Sequence, residues 1–321
     1  MITRAADKAS ATAQFASDVQ YYLSQQPRQL PSRYFYDDLG SALFDAICHL
    51  PWYGVTRAEM RLLARYGRQL IARPRLTTII ELGPGSGEKL VALVEAGRVG
   101  VSHLDLRLVD ISPRALELAS HVLSSLANVN IATYEAEYES GLAAASAATR
   151  AGHALALFLG SNIGNFDRPG ADAFLRSIRA SLMLGDMLLV GVDLVKPEGE
   201  LLLAYDDPLG VTAAFNRNLL VRINRELGGN FDVDRFTHRA IWSEIHSRVE
   251  MHLVSTVRQR VVVDAASVDF VIEKGESIWT ESSYKYTPAQ IALALEQAGF
   301  KRVEQWIDEP GGFALTLVET T

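Results

Sequence analysis

Along the middle of the chain, segments with apolar residues at helical spacing alternate with short apolar runs that are typical of strands. Residues 56–72 carry apolar side chains at helical spacing, and the apolar run at 76–82 that comes next indicates a buried strand. Further strands are predicted at 103–110, 129–134, 153–159 and 187–193, with helices at about 86–96, from Ser112 onward and at about 170–183. Strands that alternate with helices in this way predict an α/β fold with a parallel, doubly wound sheet.

Several predicted helices begin with residues of the kind that cap helix N-termini. Thr56 and Glu59 have the spacing of a capping box. Ser112 before Pro113 combines an N-cap hydroxyl with a proline at the first helical position. Thr287 opens a helix near the C-terminus with a second capping box.

The rest of the chain has a different pattern. Residues 1–50 indicate a helix, a loop and a second helix, and residues 198–227 are helical. Between about 236 and 284, five strand-like segments follow one another with no helix between them, which predicts an antiparallel α+β arrangement. Two final strands near 301–308 and 313–319 are expected to return to the parallel sheet.

The length and these patterns together predict two domains. A chain of 321 residues exceeds one minimal domain, and its 48% apolar content is enough for a sizeable core. We expect a parallel-sheet domain formed by residues 56–196 and 285–321. A smaller, discontinuous α+β domain for the substrate would be formed by residues 1–55 and 197–284.

Charge and cysteine content restrict the class of partner. The net charge of −7, from 31 basic and 38 acidic residues without a basic stripe, disfavours nucleic acid and anionic membranes as partners. Cys48 is the single cysteine, which fits a reducing compartment and a small buried side chain. The N-terminal residues lack the apolar run of a signal peptide, and no apolar run is long enough for a membrane span. We expect a cytoplasmic protein that acts as a monomer.

A glycine-rich turn, Glu81-Leu82-Gly83-Pro84-Gly85-Ser86-Gly87, joins the first strand of the sheet to a helix. Glycines allow a sharp turn and a close approach of the backbone to a ligand, and the amides of the following helix can bind a carboxylate. The spacing G-x-G-x-G differs from the G-x-G-x-x-G of dinucleotide sites, so the turn favours a nucleotide-type cofactor over a purely structural role and disfavours NAD.

Polar residues follow the next three strands at the same edge of the predicted sheet. Asp110 ends the second strand and could accept both ribose hydroxyls, or else cap the helix at Ser112. Glu137 and Tyr138 follow the third strand, where a carboxylate and a ring could contact an adenine. The loop at 158–166 after the fourth strand contains two asparagine amides and is predicted to be a polar binding site.

Five segments of the chain, in this order, resemble the ergothioneine-pathway histidine Nα-methyltransferases. They are PSRYFYDDLGSALFDAICHLPWY, IIELGPGSGEKL, FLGSNIGNF, AYDDPLGVTAAFNRNLL and TESSYKYT, and the resemblance runs from about residue 27 to the C-terminus. It implies a Rossmann-like class I methyltransferase domain plus a substrate-binding domain. It also implies the conversion of free L-histidine to its trimethylammonium betaine, hercynine, with S-adenosylmethionine (SAM) as the methyl donor.

The resemblance also implies roles for individual residues, matched by motif. In the substrate site, Tyr36 and Tyr53 would line the amino-acid pocket, Asn165 and Tyr205 would hold the amino and carboxylate groups, Met251 would pack near the side chain, and Glu281 and Ser283 would bind the imidazole nitrogens. Contacts to SAM would come from Gly83, Lys89, Asp110, Glu137 and Tyr138, beside the turn glycine Gly85.

The residue types agree with these roles, although each also has a structural explanation. Glu281 and Ser283 lie two apart on a predicted strand, so both side chains face one side, and a buried imidazole needs two hydrogen-bond partners. Tyr36 and Tyr205 could equally be packing residues, and Met251 a core residue. In the expected reaction the neutral amine attacks the sulfonium methyl in line, and Tyr36 or a water beside it accepts the proton.

Three other functions are compatible with parts of the sequence. Trp279 beside the TESS motif favours tryptophan or tyrosine as an alternative amino-acid substrate. The glycine-rich turn could serve an NAD-dependent dehydrogenase, and a protein that binds SAM without turnover would have the same motifs. A metal centre is not expected, because the seven histidines are scattered and His246 and His252 lack ligand spacing.

Overall fold

The computed structural model of the protein describes residues 2–97, 103–149 and 152–321, with side chains from residue 10 onward. Packing divides the chain into two compact units. The small unit consists of Met1–Tyr53 and Pro197–Ser283, and the large unit consists of Gly54–Lys196 and Tyr284–Thr321. The sequence analysis placed the corresponding boundaries after residues 55, 196 and 284.

The helices and strands are numbered in chain order. The helices are α1 (Ile2–Leu23), α2 (Asp38–His49), α3 (Val55–Ile71), α4 (Glu88–Gly97), α5 (Pro113–Leu123), α6 (Tyr138–Ala147), α7 (Arg168–Ser181), α8 (Glu198–Tyr205), α9 (Val211–Leu227) and α10 (Pro288–Gln297). The strands are β1 (Leu76–Leu82), β2 (Leu104–Asp110), β3 (Val129–Glu135), β4 (His153–Phe158), β5 (Met187–Asp193), β6 (Phe236–Ser243), β7 (Arg248–Ser255), β8 (Gln259–Val263), β9 (Val268–Ile272), β10 (Ser277–Tyr284), β11 (Phe300–Asp308) and β12 (Phe313–Thr320).

A seven-stranded sheet in the order β11-β12-β5-β4-β1-β2-β3 forms the centre of the large unit. The first five strands of the chain pair in parallel. Strand β12 joins β5 in antiparallel orientation, and β11 pairs with β12. The predicted α/β sheet is confirmed, including the return of the two final strands to it. Because β1, β2, β3 and β4 run in parallel, the segments that follow them lie at one edge of the sheet.

Burial along the strands explains why their sequences are so apolar. All seven residues of β5 are buried, as are five of the six in β4. Parallel strands covered by helices on both faces show continuous rather than alternating apolar residues, which is the pattern of these central strands. Strand β3 lies at the edge of the sheet and shows partial exposure along its length.

Two of the predicted helix starts are confirmed and one is wrong. Ser112 accepts a hydrogen bond from the amide of Ala115, and Thr287 forms a capping box with Gln290. Helix α3, however, begins at Val55 after Gly54, and no side chain caps it. The reason is that the Glu59 carboxylate is engaged by more distant groups, described below, instead of the start of its own helix.

Antiparallel strands form the small unit, as the sequence predicts for 236–284. Strands β10, β7 and β6 make a three-stranded sheet, and β8 and β9 form a separate hairpin. Buried and partly exposed residues alternate along β7, so one face of the strand packs inward. No helix in the described ranges is both long and apolar enough to span a membrane.

Candidate active site

The glycine-rich turn after β1 needs its glycines for two different reasons. Gly83, Gly85 and Gly87 all have positive φ angles of 74°, 55° and 82°, which side-chain-bearing residues rarely adopt. A Cβ atom on Gly87 would lie 3.0 Å from the Cα of Ala119, so this glycine lets the turn pack closely on α5. Around Gly85 there is no described atom within 4 Å of a built Cβ, which leaves open space above the turn.

Asp110 follows β2 beside this turn. Its Oδ1 accepts a hydrogen bond of 2.8 Å from the backbone amide of Ser112, which orients the carboxylate. Burial raises the pKa of Asp110, and hydrogen bonds from the amides of Ser112 and Ile111 act in the opposite direction. The amide of Gly83 donates to the carbonyl of Val109, so the ends of β1 and β2 are fixed to each other. Asp110 therefore stabilises the start of α5. It lies at the same edge of the sheet as the turn, above which there is open space.

Tyr138 lies on the other side of the turn. Its hydroxyl oxygen would be 3.0 Å from a Cβ on Gly83, and its ring packs on Phe158 and Phe174 with centroid distances of 5.4 and 6.1 Å. Burial raises the pKa of the Tyr138 hydroxyl, so this group stays protonated. The neighbouring Glu137 is exposed at the start of α6. These contacts place Tyr138, one of the two predicted adenine residues, beside the glycine turn.

A cluster of charged side chains lies beneath the turn. The Nζ atom of Lys89 is 2.6 Å from Oε2 of Glu59, and the amide of Gly160 donates to both carboxylate oxygens of Glu59. Burial raises the pKa of Glu81 to about 8, and the negative charges of Glu59 and Asp110 add to this effect while Lys89 opposes it. The sequence analysis predicted a role for Lys89 but missed Glu59, whose partners are distant in sequence.

The loop after β4 is held from behind by the neighbouring strand end. Ser161 has a left-handed φ of 61°, and its Oγ accepts a hydrogen bond of 2.9 Å from the amide of Asp193. A Cβ on Gly164 would lie 2.7 Å from the carbonyl oxygen of Tyr284, so the loop passes close to this backbone. Asn165, at the end of the same turn, is exposed. The loop therefore presents the predicted amine-binding residue from a fixed backbone.

In the small unit, five aromatic side chains form what we call the aromatic cluster. Tyr36 contacts Phe44 and Phe215 at centroid distances of 5.5 and 5.8 Å, Phe44 lies 6.4 Å from Tyr53, and Tyr53 lies 6.3 Å from Tyr205. Three predicted pocket residues, Tyr36, Tyr53 and Tyr205, thus share one cluster. Phe44 and Phe215 were not predicted, because an apolar residue on an amphipathic helix gives no sign of whether it packs in the core or at a site.

The cluster continues to the predicted imidazole-binding strand. Tyr205 and Ser283 share a hydrogen bond of 2.8 Å between their hydroxyl oxygens. Behind them, the carbonyl of Tyr205 contacts Nε2 of His238 at 2.7 Å, and Nδ1 of the same ring contacts the Asn216 amide at 2.9 Å. Burial lowers the pKa of His238, which favours the neutral ring. This chain of contacts fixes the end of α8 and hence the position of Tyr205.

The remaining predicted substrate residues lie on β7 and β10. Met251 is 1% exposed, and its carbonyl accepts a hydrogen bond of 3.0 Å from the hydroxyl of Thr280, the residue before Glu281. Glu281 is partly buried, and its own carbonyl accepts from the indole of Trp279. The Trp279 ring lies between the guanidinium of Arg248, 4.4 Å away, and the His252 ring at 6.1 Å. Trp279 is thus part of a stack on the sheet.

The large unit has the features that a bound SAM molecule requires. Gly85 leaves space for a ligand over the turn, and α4 begins directly after it, with its amides available to a carboxylate. Oε2 of Glu81 is buried and has no hydrogen-bond partner among the described residues, so a ligand could supply the missing hydrogen bond. Among the described residues there is no group of three or more His, Cys, Asp or Glu side chains arranged for a metal ion.

Comparisons with known proteins show the family of the chain. The sequence profile of the family described as "Histidine-specific methyltransferase, SAM-dependent" matches residues 15–320. The chain is 40% identical over 302 residues to histidine N-alpha-methyltransferase of Mycobacterium tuberculosis (strain CDC 1551 / Oshkosh), covering 94% of this chain and 93% of that protein. The protein of the same name from Mycolicibacterium smegmatis is 37% identical over 309 residues, with coverages of 96% and 95%.

A third relative is the ergothioneine biosynthesis protein 1 of Schizosaccharomyces pombe. It is 28% identical over 288 residues, which are 87% of this chain but 37% of that longer protein. The family profile and the mycobacterial relatives each span nearly all of this chain, including the turn at Gly83 and the strand that carries Glu281. The chain therefore belongs to the family of histidine-specific, SAM-dependent methyltransferases.

Proposed function

We propose that this protein transfers three methyl groups from SAM to the α-amino group of free L-histidine, giving hercynine. The observation that carries the proposal is the hydrogen bond of 2.8 Å between Tyr205 and Ser283, next to the ring of Tyr53. These three residues come from separate parts of the chain and share no local element. Their convergence supports one amino-acid site in the small unit, and the names of the two mycobacterial relatives and of the yeast relative support its substrate and pathway.

In this proposal the cofactor lies over the turn of the large unit. The amides after Gly83 and Gly85, together with Lys89, hold the methionine carboxylate, because both a helix N-terminus and an ammonium group favour an anion. Asp110 accepts the ribose hydroxyls, and Glu137 with Tyr138 contacts the adenine. The left-handed glycines and the open space at Gly85 support this arrangement. SAM supplies the electrophilic methyl group when it is bound.

In this proposal, the two side chains that bind the imidazole ring determine which amino acid the site accepts. We assign one ring nitrogen to the Glu281 carboxylate and the other to the Ser283 hydroxyl, with Met251 packed beside the ring. An amino acid without ring nitrogens would form neither of these hydrogen bonds, at a cost of about 1–3 kcal/mol for each one. The site therefore favours histidine over phenylalanine, and the engagement of Trp279 with Arg248 and His252 supports histidine over larger rings.

The α-amino group must be neutral to attack the methyl carbon. We assign to Asn165 the hydrogen bond that orients the amine, and to Tyr36, or a water beside it, the proton released after transfer. Each transfer forms one N–C bond, breaks one S–C bond and releases S-adenosylhomocysteine. Starting from the neutral amine, a proton leaves after the first and after the second transfer, and the third leaves a permanent cation. Correct alignment of amine and methyl can lower the barrier by several kcal/mol, up to about 7–11 in well-oriented models.

The growing cation needs surroundings that tolerate positive charge without a strong hydrogen bond. Aromatic faces attract a methylated ammonium group by about 0.5–2 kcal/mol each. The aromatic cluster supplies three tyrosines, Tyr36, Tyr53 and Tyr205, within one set of ring contacts. This supports a site that retains the partly methylated intermediates until the third transfer.

Mass spectrometry of the products tests the proposal directly. The protein is incubated with SAM and, separately, with histidine, tryptophan, tyrosine and phenylalanine. We expect histidine alone to gain three methyl groups, seen as a mass increase of three CH2 units, with three molecules of S-adenosylhomocysteine released per product. A product that stops at one methyl group would contradict trimethylation, and faster turnover of tryptophan or tyrosine would contradict the substrate. SAM binding without any methylated product would mean that the protein binds SAM but does not catalyse methyl transfer.

A further inference from the structure

One buried carboxylate contacts three segments beneath the glycine turn. Glu59 lies on α3 with no exposed surface. Its Oε2 lies 2.6 Å from Nζ of Lys89, at the start of α4, and the Gly160 amide after β4 donates to Oε1 and Oε2 at 2.9 and 3.0 Å. A Cβ on Gly191 would lie 2.2 Å from Oε1, so the carboxylate also rests against the backbone of β5.

A second carboxyl group, that of Glu81, lies near Lys89. Glu81 is 1% exposed, and burial raises its pKa to about 8, with the charges of Glu59 and Asp110 adding and that of Lys89 opposing. Glu81 is therefore mostly protonated at pH 7. Two acids face the ammonium of Lys89, and the close contact of 2.6 Å is the one made by Glu59.

Lysine side chains are flexible, so fixing one costs rotamer entropy. When a buried anion holds the ammonium, the lysine side chain is already ordered before a ligand binds, so binding does not have to order it. The Lys89 side chain remains 24% exposed, so the ion pair with Glu59 does not bury it completely. Bonding to Glu59 also fixes the direction of the Gly160 amide, at the start of the loop that ends in Asn165.

We propose that Glu59 is a positioning residue for the cofactor: it holds the ammonium of Lys89 in the position that binds the carboxylate of SAM, while the Gly160 amide, which donates to Glu59, keeps Glu59 in place. This inference rests on the proposed role of Lys89 in cofactor binding. Glu59 does not itself touch the cofactor in this arrangement. A purely structural role, tying α3 to the sheet, would lower the unfolding temperature and leave the affinity of the folded protein for the cofactor unchanged.

The test is calorimetric binding of S-adenosylhomocysteine, which needs no turnover. Glu59→Gln keeps the size of the side chain and removes its charge. Glu88→Gln makes the same change on the exposed neighbour of Lys89 and serves as the matched control. At pH 7 we expect Glu59→Gln to weaken binding about 10-fold or more, and Glu88→Gln to have less than about a 2-fold effect. Unchanged affinity in folded Glu59→Gln would overturn the proposal.

A second readout separates positioning from general damage to the fold. Removing the charge of Glu59 lowers the pKa of Glu81, since a negative charge no longer opposes its ionisation, and Lys89 then has Glu81 as its remaining acidic partner. The affinity of the wild type for S-adenosylhomocysteine should fall as the pH rises through about 8. In Glu59→Gln the fall should come at lower pH. The same pH profile in both proteins would contradict the inference.

A double-mutant cycle with Lys89→Met keeps the test decisive even if Glu59→Gln alone misfolds. The double variant removes both members of the ion pair, which is tolerated better than leaving one buried charge without its partner. If Glu59 acts through Lys89, Glu59→Gln should have little further effect on affinity in the Lys89→Met background. Fully additive losses would contradict the inference. If Lys89→Met bound S-adenosylhomocysteine with wild-type affinity, the proposed contact between Lys89 and the cofactor would itself be wrong.

Discussion

The Nζ atom of Lys285 lies 2.8 Å from Oδ2 of Asp193, and the two side chains are 0% and 2% exposed. The other carboxylate oxygen, Oδ1, lies 2.6 Å from Nζ of Lys196. One carboxylate at the end of β5 is therefore shared by two lysines. The amide of the same aspartate donates to Ser161, so this ion cluster lies directly behind the loop that carries Asn165.

Loss of the carboxylate should destabilise the protein more than loss of one lysine. Asp193→Asn leaves two lysines without an anion and should lower the free energy of unfolding by about 3–5 kcal/mol. Lys285→Met leaves Asp193 paired with Lys196, so we expect a smaller loss of about 1–3 kcal/mol. Urea unfolding followed by circular dichroism measures both.

The control for this series is an ion pair on the surface of the same unit. Arg114 lies 3.8 Å from Glu117, with both side chains about two-thirds exposed. Arg114→Met should change the unfolding free energy by no more than about 0.5 kcal/mol. If Lys285→Met proved as harmful as Asp193→Asn, Lys196 would contribute nothing to the cluster.

The buried acid Glu81 should make stability depend on pH. Its pKa is about 8 in the folded protein, against 4.5 for an ordinary glutamate. Between these values the folded protein holds a proton that the unfolded chain has released. The stability that this group contributes is therefore complete below pH 4.5 and is lost as the pH rises through about 8.

Comparison with Glu81→Gln isolates this contribution, because the variant keeps every other titrating group. Relative to the variant, the wild type should lose about 1.4 kcal/mol of unfolding free energy per pH unit across this window. Above it the difference should become constant. Parallel stability curves from pH 5 to 8 would mean that Glu81 is ionised in the folded protein.

Local patterns predicted the elements of the fold well because their causes are local. Strand β1 has the predicted bounds, since a short apolar run between a helix and a glycine turn has few alternatives. Ser112 and Thr287 cap their helices through bonds that span three residues. Thr56 and Glu59 had the same spacing, but the buried Glu59 bonds to Lys89 and Gly160 instead.

Burial of charged residues was the part that the sequence could not predict. Lys285, Asp193 and Glu81 look like ordinary surface charges along the chain, and tertiary contacts bring Lys285 to Asp193 and Glu59 close to Glu81. The same holds for the link between Tyr205 and Ser283, which are 78 positions apart. The family resemblance named both residues as substrate contacts, whereas the patterns alone could not distinguish them from packing residues.

Gly164 offers a test of how rigidly the loop after β4 must be held. An alanine there would place its Cβ 2.7 Å from the carbonyl oxygen of Tyr284, so the loop must shift. A displacement near 1 Å of the neighbouring Asn165 should lower histidine turnover about 100-fold. Binding of S-adenosylhomocysteine should stay within about 2-fold, because the shift is confined to the amine-binding loop.

The matching substitution at a roomy glycine serves as the control. A Cβ on Gly199, in α8, meets nothing among the described atoms within 4 Å. Gly199→Ala should leave turnover unchanged and should not lower the thermal midpoint, since alanine favours a helix over glycine. Full activity of Gly164→Ala would show that the loop has room to adapt and that Asn165 does not need its present position.

Two adjacent serines on β10 distinguish a substrate contact from a general effect of the strand. Ser283 is buried and bonded to Tyr205, and its side chain points to the opposite side of the strand from that of Ser282. Ser283→Ala removes the proposed partner of one imidazole nitrogen, at a cost of about 1–3 kcal/mol. Calorimetry with S-adenosylhomocysteine present should show histidine binding weakened about 5- to 150-fold.

Ser282→Ala makes the same chemical change at the neighbouring position and should leave histidine affinity within about 2-fold of wild type. Glu281→Gln should weaken histidine binding as Ser283→Ala does, because an amide replaces the carboxylate that accepts the ring N–H. Both site variants should bind S-adenosylhomocysteine as the wild type does, since the cofactor residues are unchanged. Equal losses in Ser282→Ala and Ser283→Ala would mean that the strand, and not the hydroxyl at 283, determines affinity, and the assignment of the imidazole site to Ser283 would then be wrong.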